Sequence, residues 1–255
     1  MNIIKFFLVI IYFFCCIINS NAEETIRLSS GEWPPYQSEH LKYFGVASRI
    51  ITEAFALEGI KVIYGYYPWK RSYRNAENGL WDGTFLWFDT PERRKSFYIS
   101  DPVIDVQYVF FHLKNYNFNW NNIEDIKGID IGATIGYNYG EYFEKAEKSK
   151  IIRVQRVPKD EQNFLKLLNG RIQVLINELE TGYDLIQNKF SPDQIKKFVH
   201  HSKPVKASSH HLLLCKKNKL NKNRIDIFNK GMKYLKKCGR FDQYIKESRN
   251  GEYRK

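Results

Sequence analysis

Hydrophobic positions along the chain change period repeatedly, and the changes mark the elements. Val46, Ile50, Ile51, Ala54, Phe55 and Leu57 recur at helical spacing and stop at Gly59, which predicts an amphipathic helix. Residues 60–67 alternate with a period of two, as a half-buried strand does. An apolar segment from Ile26 to Leu28 comes earlier, followed by GEWPPY, whose adjacent prolines forbid a helix and mark an exposed loop. The rhythm continues with a helix over 69–78, a strand over 83–87 and a long apolar strand over 106–113. A second cycle opens at Gly128: strand 129–133, helix 139–148, strand 151–157, helix 161–168 and strand 173–176. The tail adds a strand over 210–216 (HHLLLCK) and a helix over 225–237. That helix puts Ile225, Phe228, Met232 and Leu235 on one side and stops at Gly239.

Strands alternating with helices imply an α/β architecture with mostly parallel sheets, and two cycles imply two lobes. If the tail returns to the first lobe, the chain crosses between lobes twice, which makes a hinge. The expected division is 23–112 for the first part of lobe 1, 113–203 for lobe 2 and 204–255 for the return, with crossings at 113–114 and 202–205.

Residues 1–22 read as a cleaved secretory signal. Lys5 gives a short basic flank, Phe6 to Ile18 is an apolar run, and Ser20-Asn21-Ala22 supplies small residues for a peptidase. The run has 13 residues, short of the roughly 20 needed to cross a bilayer core. Removing the segment leaves 233 residues, enough for two real cores, and one lysine fewer takes the formal charge from +12 to +11. No later stretch is apolar for long enough to span a membrane, so a soluble, exported, periplasmic product is expected. The basic residues are scattered, with no nucleic-acid-reading motif, and read as solvated surface. Cys215 and Cys238 remain after cleavage, and both a disulfide and two free thiols stay open. The pairs His200-His201 and His210-His211 are adjacent on strands and point to opposite faces, so neither chelates a metal naturally. Asp160-Glu161 reads as a helix N-cap rather than an acid/base dyad. No cofactor motif and no catalytic order is present.

Three ordered segments carry a resemblance: TPERRKSFYISDPV following Asp82-Gly83 and a strand, KGIDIGATIGYNYGE, and LLNGRIQVLINELE. Together they resemble the extracellular solute-binding proteins of family 3, the two-lobed periplasmic type, over essentially the whole mature chain. The resemblance implies the type II binding-protein fold and the capture of a small carboxylate-bearing solute, an amino acid or related metabolite. It also implies a monomer that delivers this solute to an ABC permease by lobe closure. It implies that Arg93 holds the ligand carboxylate, which suits a permanently charged planar fork; Arg94 reads as a surface arginine. Trp33 matches the ring that stacks over the ligand. Trp69 matches an apolar position opposite, where interlobe packing is the other reading, and Trp87 adds a third ring. Tyr137 and Asn138 match positions that meet the carboxylate from lobe 2. Glu178 matches the acid that receives an α-ammonium, or else is a helix-start acid. Departures from the pattern are Leu86, Trp87 and Phe88 where the family has small hydroxyl residues, Gln173 for an aspartate, and Gly45-Val46-Ala47 for Gly-Phe-Asp. They remove partners for an ammonium. Two further functions share this fold: a secreted cyclohexadienyl dehydratase using Glu178 or Glu161 as general acid, and a ligand-sensing module.

Overall fold

The computed structural model describes residues 24–255; the targeting segment read at 1–22 lies outside them. β1 (Thr25–Ser30), β2 (Lys61–Tyr66) and β3 (Gly83–Trp87) alternate with α1 (Val46–Ala56) and α2 (Trp69–Glu77), much as the periodicity predicts. A short helix, α3 (Pro91–Ser96), leads into β4 (Phe97–Leu113). The second lobe follows as β5 (Asp130–Thr134), α4 (Glu141–Lys148), β6 (Arg153–Val157), α5 (Asp160–Leu168), β7 (Val174–Glu178), α6 (Leu179–Lys189), α7 (Pro192–Ile195) and β8 (Phe198–His200). The chain then returns through β9 (Lys206–Cys215) and ends with α8 (Asn221–Lys237) and α9 (Arg240–Arg249).

All the strands belong to one twisted sheet in the order β2-β1-β3-β9-β4-β7-β5-β6, with β8 paired to β4. Pairing is parallel at the outer ends, β1 with β2 and β3, β5 with β6 and β7. It is antiparallel at the centre, where β4 meets β9, β7 and β8. β4 and β9 therefore tie two lobes into one hydrogen-bonded layer. Tyr108 is the residue that pairs both with Lys206 of β9 and with Glu178 of β7. Leu113, where a crossing was expected, still pairs with Phe198 inside lobe 2.

β4 is longer than its apolar pattern suggests, since it runs on through Pro102 even though that residue has no N–H for the ladder. The register slips on either side of it, between Ile99 and Pro102 and between Pro102 and Ile104, so pairing with β9 resumes beyond the proline.

The cores sit on both faces of the sheet, as period-two alternation requires. In lobe 1, Ile26, Ile50, Phe55, Phe85, Leu212 and Phe228 pack on one face, and Ala76, Phe97, Leu213 and Cys215 on the other. In lobe 2, Phe110, Ile131, Phe143 and Ile176 lie on one face, and Val109, Phe111, Phe164 and Leu175 on the other. Gly231 lets α8 lie directly on α1: a Cβ there would stand 2.3 Å from the Ala54 carbonyl oxygen. α9 packs with lobe 1 through Tyr244 but also reaches lobe 2, where Arg249 grips the buried Glu180 through Nε at 3.0 Å and Nη2 at 2.5 Å. Cys215 and Cys238 are free thiols, the first buried and the second exposed. Among the described residues no helix is long and apolar enough to cross a membrane, and no cluster of His, Cys, Asp or Glu could hold a metal.

Candidate functional site

A cleft of about 440 Å³ opens where lobe 1 meets the crossing strands. Its size suits a small molecule. One wall is the end of β3 and the turn into α3. Thr90 caps α3 by accepting a hydrogen bond from the Arg93 N–H at 3.3 Å, and Pro91 starts the helix with its φ already set. This short helix turns its two arginines apart. Arg93 lines the cleft, its guanidinium carbon 4.9 Å from the Trp87 ring centre and 5.8 Å from Tyr73, with Nη1 donating to the Phe88 carbonyl at 2.7 Å. Arg94 lies on the surface and clamps Asp89 through Nε at 2.7 Å and through Nη2.

Leu86, also in the lining, has φ 60° at the register shift between Phe85 and Trp87. A left-handed backbone is costly for leucine and is typically retained where a site needs it. The bulge redirects the strand so that Leu86, Trp87 and Phe88 all reach the cleft.

Trp33, Trp69 and Trp87 form the apolar part of the lining. Trp33 is held in a tight loop by reciprocal backbone bonds with Gln37, at 2.8 and 3.0 Å. It meets Trp69 edge-on at 6.3 Å, and Trp69 meets Trp87 edge-on at 5.2 Å. Trp69, the first residue of α2, fits only because residue 31 is glycine: a Cβ there would lie 2.4 Å from the indole. Trp87 is fixed by its own N–H, which donates to Thr84 Oγ1 at 2.9 Å.

The floor comes from residues that the sequence does not single out. Val106 and Tyr108 on β4 pair with Ser208 and Lys206 on β9, and His210 follows two positions on, so all five project to the cleft. His210 is buried, with its ring against Trp33 at 5.3 Å and Phe88 at 4.4 Å. Burial pushes its pKa down to about 4, so the ring is neutral near pH 7. Its Nδ1 lies 3.4 Å from the Ser208 carbonyl, an acceptor, which assigns the ring proton to Nδ1. Lys206 Nζ sits 5.8 Å from the centre of the Tyr108 ring, whose hydroxyl is pushed up to about 12 by burial. A sequence reading that asked which member of the His210-His211 pair faces inward would have found this floor.

From lobe 2, Tyr137 and Asn138 do not line the cleft but approach it through Lys206, which donates to the Asn138 carbonyl at 3.2 Å and to its Oδ1 at 3.4 Å. Tyr137 is 44 % exposed and donates to Asp160 at 3.5 Å. Asp160 opens α5 without capping it: Lys159 holds the N-cap position, and Asp160 Oδ1 instead accepts from the Thr134 hydroxyl.

Glu178 is not among the residues that line the cleft. It ends β7, caps α6 and is 4 % exposed. Oε1 accepts from the Tyr36 hydroxyl at 2.6 Å and the Glu180 N–H at 3.2 Å; Oε2 accepts from the Thr181 N–H at 2.8 Å and the Thr181 hydroxyl at 2.5 Å. A carboxylate has about four acceptor positions, and all are taken. Burial raises the pKa of Glu178, although these hydrogen bonds oppose the rise, and burial likewise raises that of Tyr36. Glu161 is turned away as well, 3.9 Å from Lys189 on a half-exposed surface.

The fold recurs in solved structures. The second substrate-binding domain of GlnP from Lactococcus lactis, in its open conformation, is 18 % identical, covers 89 % of this chain and 96 % of its own, and superimposes with a TM-score of 0.72. The second substrate-binding domain of a putative amino acid ABC transporter from Streptococcus pneumoniae is 16 % identical, covering 88 % and 99 %, with a TM-score of 0.70. The unliganded, open L-cystine solute receptor of Neisseria gonorrhoeae is 21 % identical, covering 86 % and 90 %, with a TM-score of 0.68. At these identities the likeness is one of fold. Comparison with curated protein sequences finds no match. The family model of the bacterial extracellular solute-binding proteins, family 3, matches residues 27–248, nearly the whole described chain, and the protein belongs to that family.

Proposed function

We propose that this protein captures a small carboxylate-bearing solute in the periplasm, by closure of two lobes, for an ABC importer. The observation that carries the reading is the contrast between two neighbouring arginines. Arg94 is neutralised by Asp89 on the surface, whereas Arg93 lies between aromatic walls in the cleft, where it donates to the neutral Phe88 carbonyl. Water expelled from such a cleft no longer screens the guanidinium, so its attraction for a carboxylate grows.

The cleft is lined by lobe 1 and by β4 and β9, so the solute would dock there first. The hinge would lie at Tyr108 and Lys206, where the sheet passes from one lobe to the other. Closure would be driven by contacts that the loop carrying Tyr137 and Asn138 makes only with a solute in place. The two candidates for a dehydratase's general acid, Glu178 or Glu161, are engaged elsewhere, which favours binding without bond cleavage.

Purification from periplasmic extract, followed by mass spectrometry of the released solute, identifies the cargo. Adding it back to stripped protein should reduce the radius of gyration in small-angle scattering. A solute without any acid group, or one that binds with no compaction, overturns the proposal.

A further inference from the structure

Resting on that reading of the cleft, we infer that the solute is not an α-amino acid but an acid without an α-ammonium, carrying a second anionic group that meets Lys206. Two permanent or near-permanent cations line the cleft, Arg93 and Lys206. Arg93 donates to the Phe88 carbonyl, and Lys206 donates to the carbonyl and side-chain oxygen of Asn138, all neutral acceptors. Among the described residues, neither cation has a carboxylate within ion-pairing distance. Each therefore keeps a full charge to offer.

The acids nearby are differently placed. Glu178 has its four acceptor positions filled by Tyr36, Glu180 and Thr181. Asp160 accepts from the hydroxyls of Thr134 and Tyr137. Glu32 is the acid in the lining; it is exposed, and its Oε1 accepts the Glu39 N–H at 3.0 Å. At that exposed rim an ion pair is worth little. The remainder of the lining is largely apolar: Trp33, Trp69, Leu86, Trp87, Phe88 and Val106.

An α-ammonium placed beside Arg93 would thus be desolvated against aromatic walls and repelled by two like charges, with no buried carboxylate in the lining to pair it, since His210 and the Ser208 and Tyr108 hydroxyls are neutral acceptors that carry no compensating charge. A buried, unpaired charge of that kind is strongly disfavoured. A dianion reverses each of these effects. One carboxylate takes the Arg93 fork, the second anionic group takes the Lys206 ammonium, and the body between them lies on the tryptophans. Neutral His210 adds no charge to this balance.

Calorimetry on stripped protein tests the inference with three compounds that share a phenylpropionate skeleton and differ in one substituent: benzylmalonate (carboxylate), 3-phenylpropionate (hydrogen) and phenylalanine (ammonium). Glutarate against glutamate repeats the comparison on an aliphatic body. We expect benzylmalonate to bind best and phenylalanine worst, at least tenfold apart, and glutarate to bind better than glutamate. Lys206→Met should weaken benzylmalonate at least tenfold and 3-phenylpropionate less than threefold; equal weakening of both would mark Lys206 as merely structural and overturn its role. If an amino acid binds more tightly than its ammonium-free counterpart, and Arg93→Ala abolishes that binding, the solute class is wrong while the carboxylate reading stands. If no acid of the panel binds, or if binding is indifferent to Arg93→Ala, both readings fall.

Discussion

Replacing each of the two adjacent arginines separately gives the sharpest test of the site, because they are chemically identical and differ only in where α3 points them. In Arg93→Ala the cleft loses a fork that lies 4.9 Å from the Trp87 ring centre, with one Nη1–H committed to the Phe88 carbonyl and the guanidinium also beside the Tyr73 side chain. Truncating one partner of a desolvated charge pair at an interface costs about 2–5 kcal/mol. With tenfold per 1.4 kcal/mol, the dissociation constant of the cargo should rise by roughly 30-fold to several thousandfold. Arg93→Lys keeps the charge but loses the planar fork, so it should fall between wild type and alanine. Arg94→Ala breaks only a solvent-exposed contact with Asp89 and should leave affinity within about twofold of wild type. Titration calorimetry with the co-purified solute reads all three, and thermal melts confirm that each variant is folded. Equal losses at the two positions, or no loss at Arg93, would refute the claim that the helix aims one arginine at a bound anion.

Four further outcomes follow from contacts described above. Tyr36→Phe removes a hydrogen bond to a buried carboxylate and should lower unfolding free energy by about 1.5–3 kcal/mol in urea titration, the range for bonds to charged groups. Because burial raises the folded-state pKa of Glu178 above its unfolded value, the folded chain holds that proton longer. Its contribution to stability is full below the unfolded pKa and is lost as pH rises through the folded one, so melting curves of Glu178→Gln should show a weaker decline over that window. His210 carries the opposite sign: with its pKa lowered to about 4, stability is full above the ordinary histidine value and falls as pH drops from there toward 4. In NMR titration its ring should stay neutral through pH 6. Gly31→Ala places a methyl 2.4 Å from the Trp69 indole and should displace that ring, seen as a shift in tryptophan emission together with weaker cargo binding; unchanged emission would remove Trp69 from the wall.

Much of the scaffold is legible in the sequence because its helices and strands carry one-sided patterns. The helix anticipated over 225–237 is present as Asn221–Lys237, and the one ending before Gly59 as Val46–Ala56. Helix Leu179–Lys189 is hidden, since Thr181, Gly182 and Tyr183 are poor helix formers. Gly182 is there because a Cβ would lie 2.7 Å from the Phe111 ring, a requirement set by a residue 71 positions away. The site divides in the same manner. Arg93 and the three tryptophans lie in or beside local turns and can be picked out from short motifs. Lys206, Ser208 and His210 enter the cleft only through their register against β4, and the saturation of Glu178 depends on Tyr36, 142 residues earlier. Pairings of that range leave no periodic trace.

The place of β9 in the sheet has a consequence for how the molecule comes to exist. β3 and β4 are separated in sequence by little more than α3, yet they are not neighbours; the strand that parts them begins at Lys206. Until the last fifth of the polypeptide arrives, both leave open edges, the floor beneath the tryptophans is missing, and the first lobe has only part of its interior. A product stopped short of that strand would not be half of a binding protein but an unfinished one, prone to pair its bare edges with a neighbour.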